Sequence, residues 1–340
     1  MSRIVVALLW LLHWLPLSVQ AAIGNGLGWL LYWLVVPRRR VTLTNLRLCF
    51  PHLSDAERAR LARNHFKCVA RSFLERGILW FAPAERIRRL VRVEGLEKVK
   101  ARLVEGRPVI LLVPHFCALD TAGTRLALDI NTVSIYSAQS NKELEKWLFH
   151  GRSRFGDQYL LSRQEGVRAA VKKLREGGRA FYYLPDMDFG PRDSIFVPFF
   201  GVPAATVPGL PRIAKLARAD IVSCIVRMLP GGQGYEVKVG PFWENFPGAD
   251  EYADTLRMNA EIDQTFRESV ATFRRMTLAE SEAAKPLRLR IVAVGPTDTV
   301  ERLAARMATP DHPLERFRIL NGLGPHEQVN PGDEVKLVVE

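Results

Sequence analysis

The stretch Val109-Ile-Leu-Leu-Val-Pro-His115-Phe-Cys-Ala-Leu-Asp120-Thr-Ala-Gly123 decides how the rest of the chain is read. Its apolar run ends at Pro114. This is the pattern of a short buried strand stopping at its C-terminal edge, where open α/β sheets carry their functional groups. His115 then stands at the strand end, and Gly123 and Thr124 lead into an Ala- and Leu-containing helical segment. If the chain turns helically after His115, the five-residue offset brings the Asp120 carboxylate back beside the imidazole. The carboxylate would fix the ring's tautomer and raise its basicity, leaving the other ring nitrogen to take a proton from a hydroxyl. The plain alternative is a strand-end histidine bonded to backbone, because a spacing alone does not make a site.

Further along, residues 165–176 form a basic amphipathic helix ending at Gly177-Gly178. Arg179-Ala-Phe-Tyr-Tyr-Leu184 is a second buried-strand pattern, ending at Pro185-Asp186. It delivers Asp186, Asp188 and Arg192 to the sheet edge that carries His115. Ile221–Val226 and Tyr235–Val239 read as further strands, joined by the Gly231-Gly-Gln-Gly234 turn. Helices alternate with these strands, which predicts an α/β sheet with helices on its faces.

A chain of 340 residues, 48% hydrophobic, has ample core for one large domain or two to three small ones. Its net charge is +12; residues 286–340 hold seven Lys or Arg against eight Asp or Glu, so the first 285 residues carry +13. Such a front half calls for acidic partners: anionic lipid, a phosphorylated substrate or an acidic carrier protein. No basic stretch is interleaved with aromatics, which argues against nucleic acid. Cysteines 49, 68, 117 and 224 form no CxxC, as in a reducing compartment. No HExxH or Cys/His cluster has zinc-ligand spacing, so no metal is expected, and the paired aspartates 186 and 188 more readily bond backbone and arginine. Cys117 is a conceivable nucleophile, but it lies too close to His115 in an extended strand end to be well placed.

The N-terminus is apolar from Ile4 to Val36, broken by Pro16 and by Gly24, Gly26 and Gly28, and followed by Arg38-Arg39-Arg40. It reads as a membrane anchor over residues 1–37, either a kinked span or a helix with a re-entrant or interfacial neighbour, and the positive charges put the chain beyond it on the cytoplasmic side. A buried helical hairpin is the alternative. Ser54-Asp-Ala-Glu57 is a capping-box start for a long helix whose Arg58, Arg60, Arg63, Lys67 and Arg71 form a solvated or headgroup-contacting basic face.

The apolar start with its three arginines, Asn45-Leu-x-x-Cys-Phe50-Pro51, His115-x4-Asp120, Gly151-Arg152-Ser-Arg154 and the run from Tyr183 to Phe200 together resemble the bacterial lipid A biosynthesis acyltransferases, the lauroyl and myristoyl transferases, over about residues 1–265. The resemblance implies a glycerolipid-acyltransferase-like mixed sheet flanked by helices over 38–265. It also implies transfer of a fatty acyl group from acyl carrier protein to a hydroxyl of an anionic lipid A precursor, by a monomer at the bacterial inner membrane with its active domain cytoplasmic. His115 would be general base, Asp120 would orient it, and Arg152, Arg154, Asp186, Asp188 and Arg192 would bind substrate, without a cofactor beyond the acyl-carrier donor. Arginines of this kind suit bidentate phosphate or carboxylate recognition. The Phe196–Phe200 run either lines an acyl-chain tunnel or forms a packed core turn.

This chain departs from the family's pattern at Ala138, at the paired prolines 208 and 211, and above all at its end, where the usual aromatic-basic segment is missing after Ile262. Beyond a junction at 266–285, residues 286–340 give strand, helix, helix and strand, a βααβ order that resembles the LysM-like tail of bacterial HExxH metalloproteases. The alternatives are a catalytically impaired fusion whose glycan-binding tail carries the function, and an acyltransferase for another lipid acceptor.

Overall fold

The computed structural model describes residues 2–186, 194–271, 288–308, 313–324 and 326–339. The chain divides into two compact units, Met1–Phe273 and Arg274–Glu340. The front unit opens with helices α1 (Ser2–Leu12), α2 (Leu17–Leu34), α3 (Val36–Cys49), α4 (Asp55–Leu74), α5 (Arg76–Phe81) and α6 (Ala84–Leu90). It continues through β1 (Val91–Glu94), α7 (Leu96–Val104), β2 (Val109–Leu112), α8 (Leu119–Leu126), β3 (Thr132–Tyr136), α9 (Lys142–Ser153), β4 (Tyr159–Ser162), α10 (Gly166–Arg175) and β5 (Ala180–Tyr183). A hairpin of β6 (Ile195–Phe199) and β7 (Val202–Thr206) comes next, then α11 (Gly209–Ala217), β8 (Asp220–Met228), β9 (Tyr235–Phe242) and α12 (Glu251–Ala271).

The sheet is mixed, as expected, in the order β1-β9-β8-β2-β5-β3-β4. From β8 to β4 neighbouring strands are parallel, while β9 turns back against β8 and β1 runs with β9. The apolar run at 109–112 is continuous because β2 is central and covered on both faces, with none of its four residues more than 1% exposed. Its period of two divides the interior: Val109 and Leu111 enter one core with Val99 and Leu103 of α7 and Leu126 of α8. Ile110 and Leu112 enter the other with Leu174 of α10, Ile213 of α11 and Met258 of α12. Pro211 is tolerated as the third residue of α11, where a helix has no use for an N–H. Phe196–Phe200 forms β6 and the hairpin turn, with Phe200 (φ 53) and Gly201 (φ 79) left-handed, the Phe200 ring packed 5.1 Å from Phe50, and Phe196 exposed.

The capping box at Ser54 and Glu57 is present in both directions. The basic face of α4, however, is not a solvated one. Arg71 is buried in an ion pair with Glu75 at 2.8 Å, their side chains 5% and 2% exposed, and also bonds the Leu229 carbonyl. Arg63, Lys67 and Arg71 meet α2, where glycines allow backbone contact: a Cβ on Gly28 would lie 2.4 Å from the Lys67 Cα, and one on Gly24 2.7 Å from the Arg71 Cγ, while Arg58 turns to the Phe50 and Pro51 carbonyls. Among the described residues no single helix is long and apolar enough to cross a membrane. The pair α2 and α3 satisfies that test only jointly, across a 93° bend. Helix α12 runs on through residue 265, the limit that the family resemblance sets for the enzyme part.

In the second unit β10 (Arg288–Ala293) pairs antiparallel with β11 (Glu334–Val339), and helices over Val300–Ala305 and Pro313–Asn321 lie between them in sequence, the expected βααβ order. Thr299 supplies the N-cap of the first helix. Leu303, Phe317, Val335 and Leu337 form a core of its own. The Asn321 amide ties the second helix to β11, accepting from the Lys336 N–H at 2.7 Å and donating to its carbonyl at 3.0 Å.

The α2–α4 contact predicts opposite outcomes for two neighbouring glycines. A Cβ on Gly26 would meet nothing within 4 Å, so Gly26→Ala should raise stability by up to about 1 kcal/mol through helix propensity. Gly28→Ala should lower it by about 1–3 kcal/mol through overpacking. Thermal melts of both variants in one lipid or detergent check this; equal melting temperatures would remove the close approach.

Candidate active site

The register of β2 on β5 builds the site. Leu112 pairs with Tyr183, and the Val113 N–H carries the ladder one step further to the Tyr183 carbonyl at 2.8 Å. Each strand then ends in an apolar residue, a proline and a polar residue: Val113-Pro114-His115 and Leu184-Pro185-Asp186. His115 and Asp186 therefore lie at the same offset beyond a registered pair, on strands spaced about 4.8 Å apart. The Asp186 carboxylate takes both donors of the histidine, Oδ1 lying 2.7 Å from Nδ1 and Oδ2 2.8 Å from the backbone N–H. With Nδ1 held by a carboxylate, the ring's proton belongs there and Nε2 presents its lone pair.

Asp120 is thus not the carboxylate at the imidazole. Helix α8 starts at Leu119 with Ala118 outside helical geometry, so the chain does not turn helically straight after His115. The Asp120 oxygens go to two arginines instead: Oδ1 accepts from Arg152 Nε and Nη2 at 3.1 and 2.9 Å, and Oδ2 from Arg76 Nη2 at 3.0 Å. Burial works to raise the Asp120 carboxyl, but Arg152 and Arg76 outweigh it and hold it below the ordinary carboxylate range. The Tyr182 hydroxyl, donating to the Leu119 carbonyl at 2.8 Å, pins the start of α8 to β5.

Of the arginines expected to meet substrate, Arg152 is paired with Asp120, and Arg154 has a structural post. Its guanidinium donates to the Leu79 and Ala82 carbonyls at the end of α5, 2.9 Å in the latter case, and stacks 4.7 Å from the Phe155 ring centre. Asp188 and Arg192 lie outside the described residues. Arg76 gives no signal in the sequence because Leu74-Glu75-Arg76 continues a basic helical pattern without punctuation. The Asp186 pairing does have one, the repeated apolar-Pro-polar ending of two strands. Burial, with Cys68 nearby, pushes the Cys117 thiol up to about 12, so at neutral pH it is not the thiolate a nucleophile needs. No group of three His, Cys, Asp or Glu able to hold a metal occurs among the described residues.

An α/β sheet with a carboxylate-held histidine at the open end of two parallel strands is suited to taking a proton from a hydroxyl, which is what an acyl-transferring enzyme asks of a base. The chain belongs to the bacterial lipid A biosynthesis acyltransferase family, whose model matches residues 1–274, past the expected limit of 265 and through the whole of α12. It is 32% identical over 260 residues to the lipid A biosynthesis lauroyltransferase of Escherichia coli (strain K12), covering 76% of this chain and 84% of that protein. It is 29% identical over 262 residues to the palmitoleoyltransferase of the same organism, with the same two coverages. To the myristoyltransferase it is 31% identical over 226 residues, covering 66% of this chain and 69% of that one. The protein is an acyltransferase.

The Asp120 cluster sets a pH dependence. Its carboxyl titrates lower in the folded chain than the roughly 3.9 of an unfolded one, so its contribution is fully present above about pH 4 and is lost as pH falls through the folded value. Asp120→Asn leaves two arginines short of a counter-charge. The expected loss is about 2–3 kcal/mol at pH 7, less than for a fully buried pair because Arg152 is about a third exposed. Denaturant melts should show the gap to the wild type narrowing below pH 4; a gap that widens in acid would contradict the assignment.

Proposed function

We propose that this chain transfers a fatty acyl group from acyl carrier protein to a hydroxyl of a lipid A precursor at the bacterial inner membrane. The observation that carries the chemistry is the bidentate hold of Asp186 on His115. Nε2 removes the proton of the acceptor hydroxyl as its oxygen attacks the thioester carbonyl, and Asp186 stabilises the imidazolium that forms. The carbon–sulfur bond then breaks, the imidazolium proton goes to the leaving thiolate, and an ester and the free carrier thiol result. No acyl-enzyme is needed. Arg76 and Arg152 together carry one more positive charge than Asp120 neutralises, which favours an anionic acceptor or the oxyanion of the tetrahedral intermediate. Asp120 serves by positioning those arginines. The acceptor and donor are supported by what the relatives are named for and by the +13 charge of the front part, suited to an acidic carrier and an anionic glycolipid. The active side faces the cytoplasm in this reading, where the acyl carrier resides.

The βααβ unit at the end of the chain supports a LysM-like module that folds on its own and is not needed for transfer. Expressed alone, residues 286–340 should give dispersed amide shifts and a cooperative melt of low midpoint, as befits a core of this size. A disordered peptide would make the tail dependent on the front unit.

The function is tested by mass spectrometry of lipid A from cells lacking and expressing the chain, together with transfer by purified protein from acyl carrier protein and from acyl-CoA. A gain of one acyl mass, with the carrier as better donor, is expected. His115→Ala should lower transfer at least about a hundredfold, and Asp186→Asn by a similar order, because the amide can hold the wrong ring tautomer. Asp186→Asn at wild-type rate, with Asp120→Asn inactive but folded, would return the orienting role to Asp120.

A further inference from the structure

Apart from Arg3 and Ser18 near the helix starts, the exposed surface of α1 and α2 is almost wholly apolar. On α2 the outward positions recur at helical spacing, Val19, Ala22, Ile23, Gly26, Trp29, Leu30 and Trp33, and Trp29 and Trp33 are each about half exposed. On α1 they are Ile4, Ala7, Leu8 and Leu11, with Trp10 and Trp14 beside them. The opposite stripe of α2, Gln20, Ala21, Gly24, Gly28 and Tyr32, is buried. A helix with its apolar residues turned outward and its small residues against the protein is made for a lipid phase.

The same contacts decide how it meets that phase. Helix α1 has 11 residues, about 16 Å, and α2 has 18, about 27 Å, against a hydrocarbon core of about 30 Å. The break between them is tied to the body of the enzyme: Arg86 donates to the carbonyls of His13 and Leu15, and a Cβ on Gly232 would lie 2.5 Å from the Ser18 Cα. Helix α2 is in contact with α4 from Gly24 to Tyr32. Helix α4 carries Asp55, Glu57, Arg58, Arg60, Arg63, Lys67 and Arg71, so α2 could enter the hydrocarbon upright only by taking charged side chains with it or by unpacking. The cations gather where a headgroup layer would lie: the Arg39 guanidinium sits 5.3 Å from the Tyr32 ring centre and 5.5 Å from that of Trp33, and Arg38 and Arg40 are exposed beside it.

We infer that α1 and α2 are an in-plane anchor, lying in one leaflet of an anionic bilayer without crossing it, with both ends of the chain on the same side. The inference rests on the proposed function for the identity of the membrane. Its test reads topology and binding alone, so an inactive protein would sink acyl transfer and leave the anchor standing. The full chain, tagged with one epitope before Met1 and another after Glu340, is digested in right-side-out spheroplasts and in inverted vesicles. Both tags should be cut in the same preparation; tags cut in opposite preparations mean that the front segment crosses, and overturn the inference. For the purified protein, Ile23→Asp with Trp29→Asp changes outward positions away from the Arg39–Trp33 contact. It should weaken binding to vesicles containing one third phosphatidylglycerol at least about tenfold, with an unchanged melting temperature. Unaltered vesicle binding, or a wild-type chain that buries this face in a dimer and ignores vesicles, would equally overturn it.

Discussion

The register between β2 and β5 is the constraint on which the site depends. Each strand projects alternate residues into the two cores, so a slip of one residue would turn Val109 and Leu111 out of one core and Ile110 and Leu112 out of the other. The hydrophobic alternation that makes the sheet stable therefore also fixes which residue of one strand end faces which residue of the other. His115 and Asp186 need no interaction of their own to find each other. They inherit their positions from Leu112 and Tyr183, and two prolines carry both chains out of the ladder at the same step.

The same constraint separates the legible from the hidden. The strands at 109, 179 and 221 are legible in the sequence because burial on both faces writes itself as an apolar run, that at 235 because its apolar residues alternate, and the ends of the first two because proline stops the run. The partner of His115 is not, because a carboxylate five residues away looks nearer in sequence than one 71 residues away. Contact across parallel strands is set by register, which no local pattern states; here the matching endings at Pro114 and Pro185 are the trace it leaves. Arg76 and the buried Arg71–Glu75 pair are hidden for another reason. A basic helix reads alike whether its arginines face water or a neighbouring helix, and glycines on the neighbour decide which.

Two aspartates at one sheet edge have separate work because their surroundings differ. Asp186 accepts from the histidine's ring and backbone, so its charge is directed at the imidazole. Asp120 is held by two guanidiniums that keep its carboxyl below the ordinary carboxylate range, which makes it a fixed counter-ion. Deleting it would leave two cations without their counter-ion and the His115–Asp186 pair in place. A sequence motif that joins His115 to Asp120 thus unites two neighbouring arrangements, a carboxylate-held histidine on one side and a cationic wall on the other.

Helix α5 connects this wall to the apolar front of the molecule. Its first residue, Arg76, holds Asp120; its second, Gly77, is so close to α1 that a Cβ there would lie 2.3 Å from the Leu9 carbonyl oxygen. Its last carbonyls receive Arg154, two residues after the Arg152 that completes the pair on Asp120. The short helix thus touches the site with one residue and α1 with the next, leaving no linker in which the two could turn independently. A side chain at position 77 would have to push α1 away or tilt Arg76 off Asp120. The packing that seats the apolar helices and the geometry at the sheet edge are therefore one mechanical problem, solved by the absence of a single methyl group.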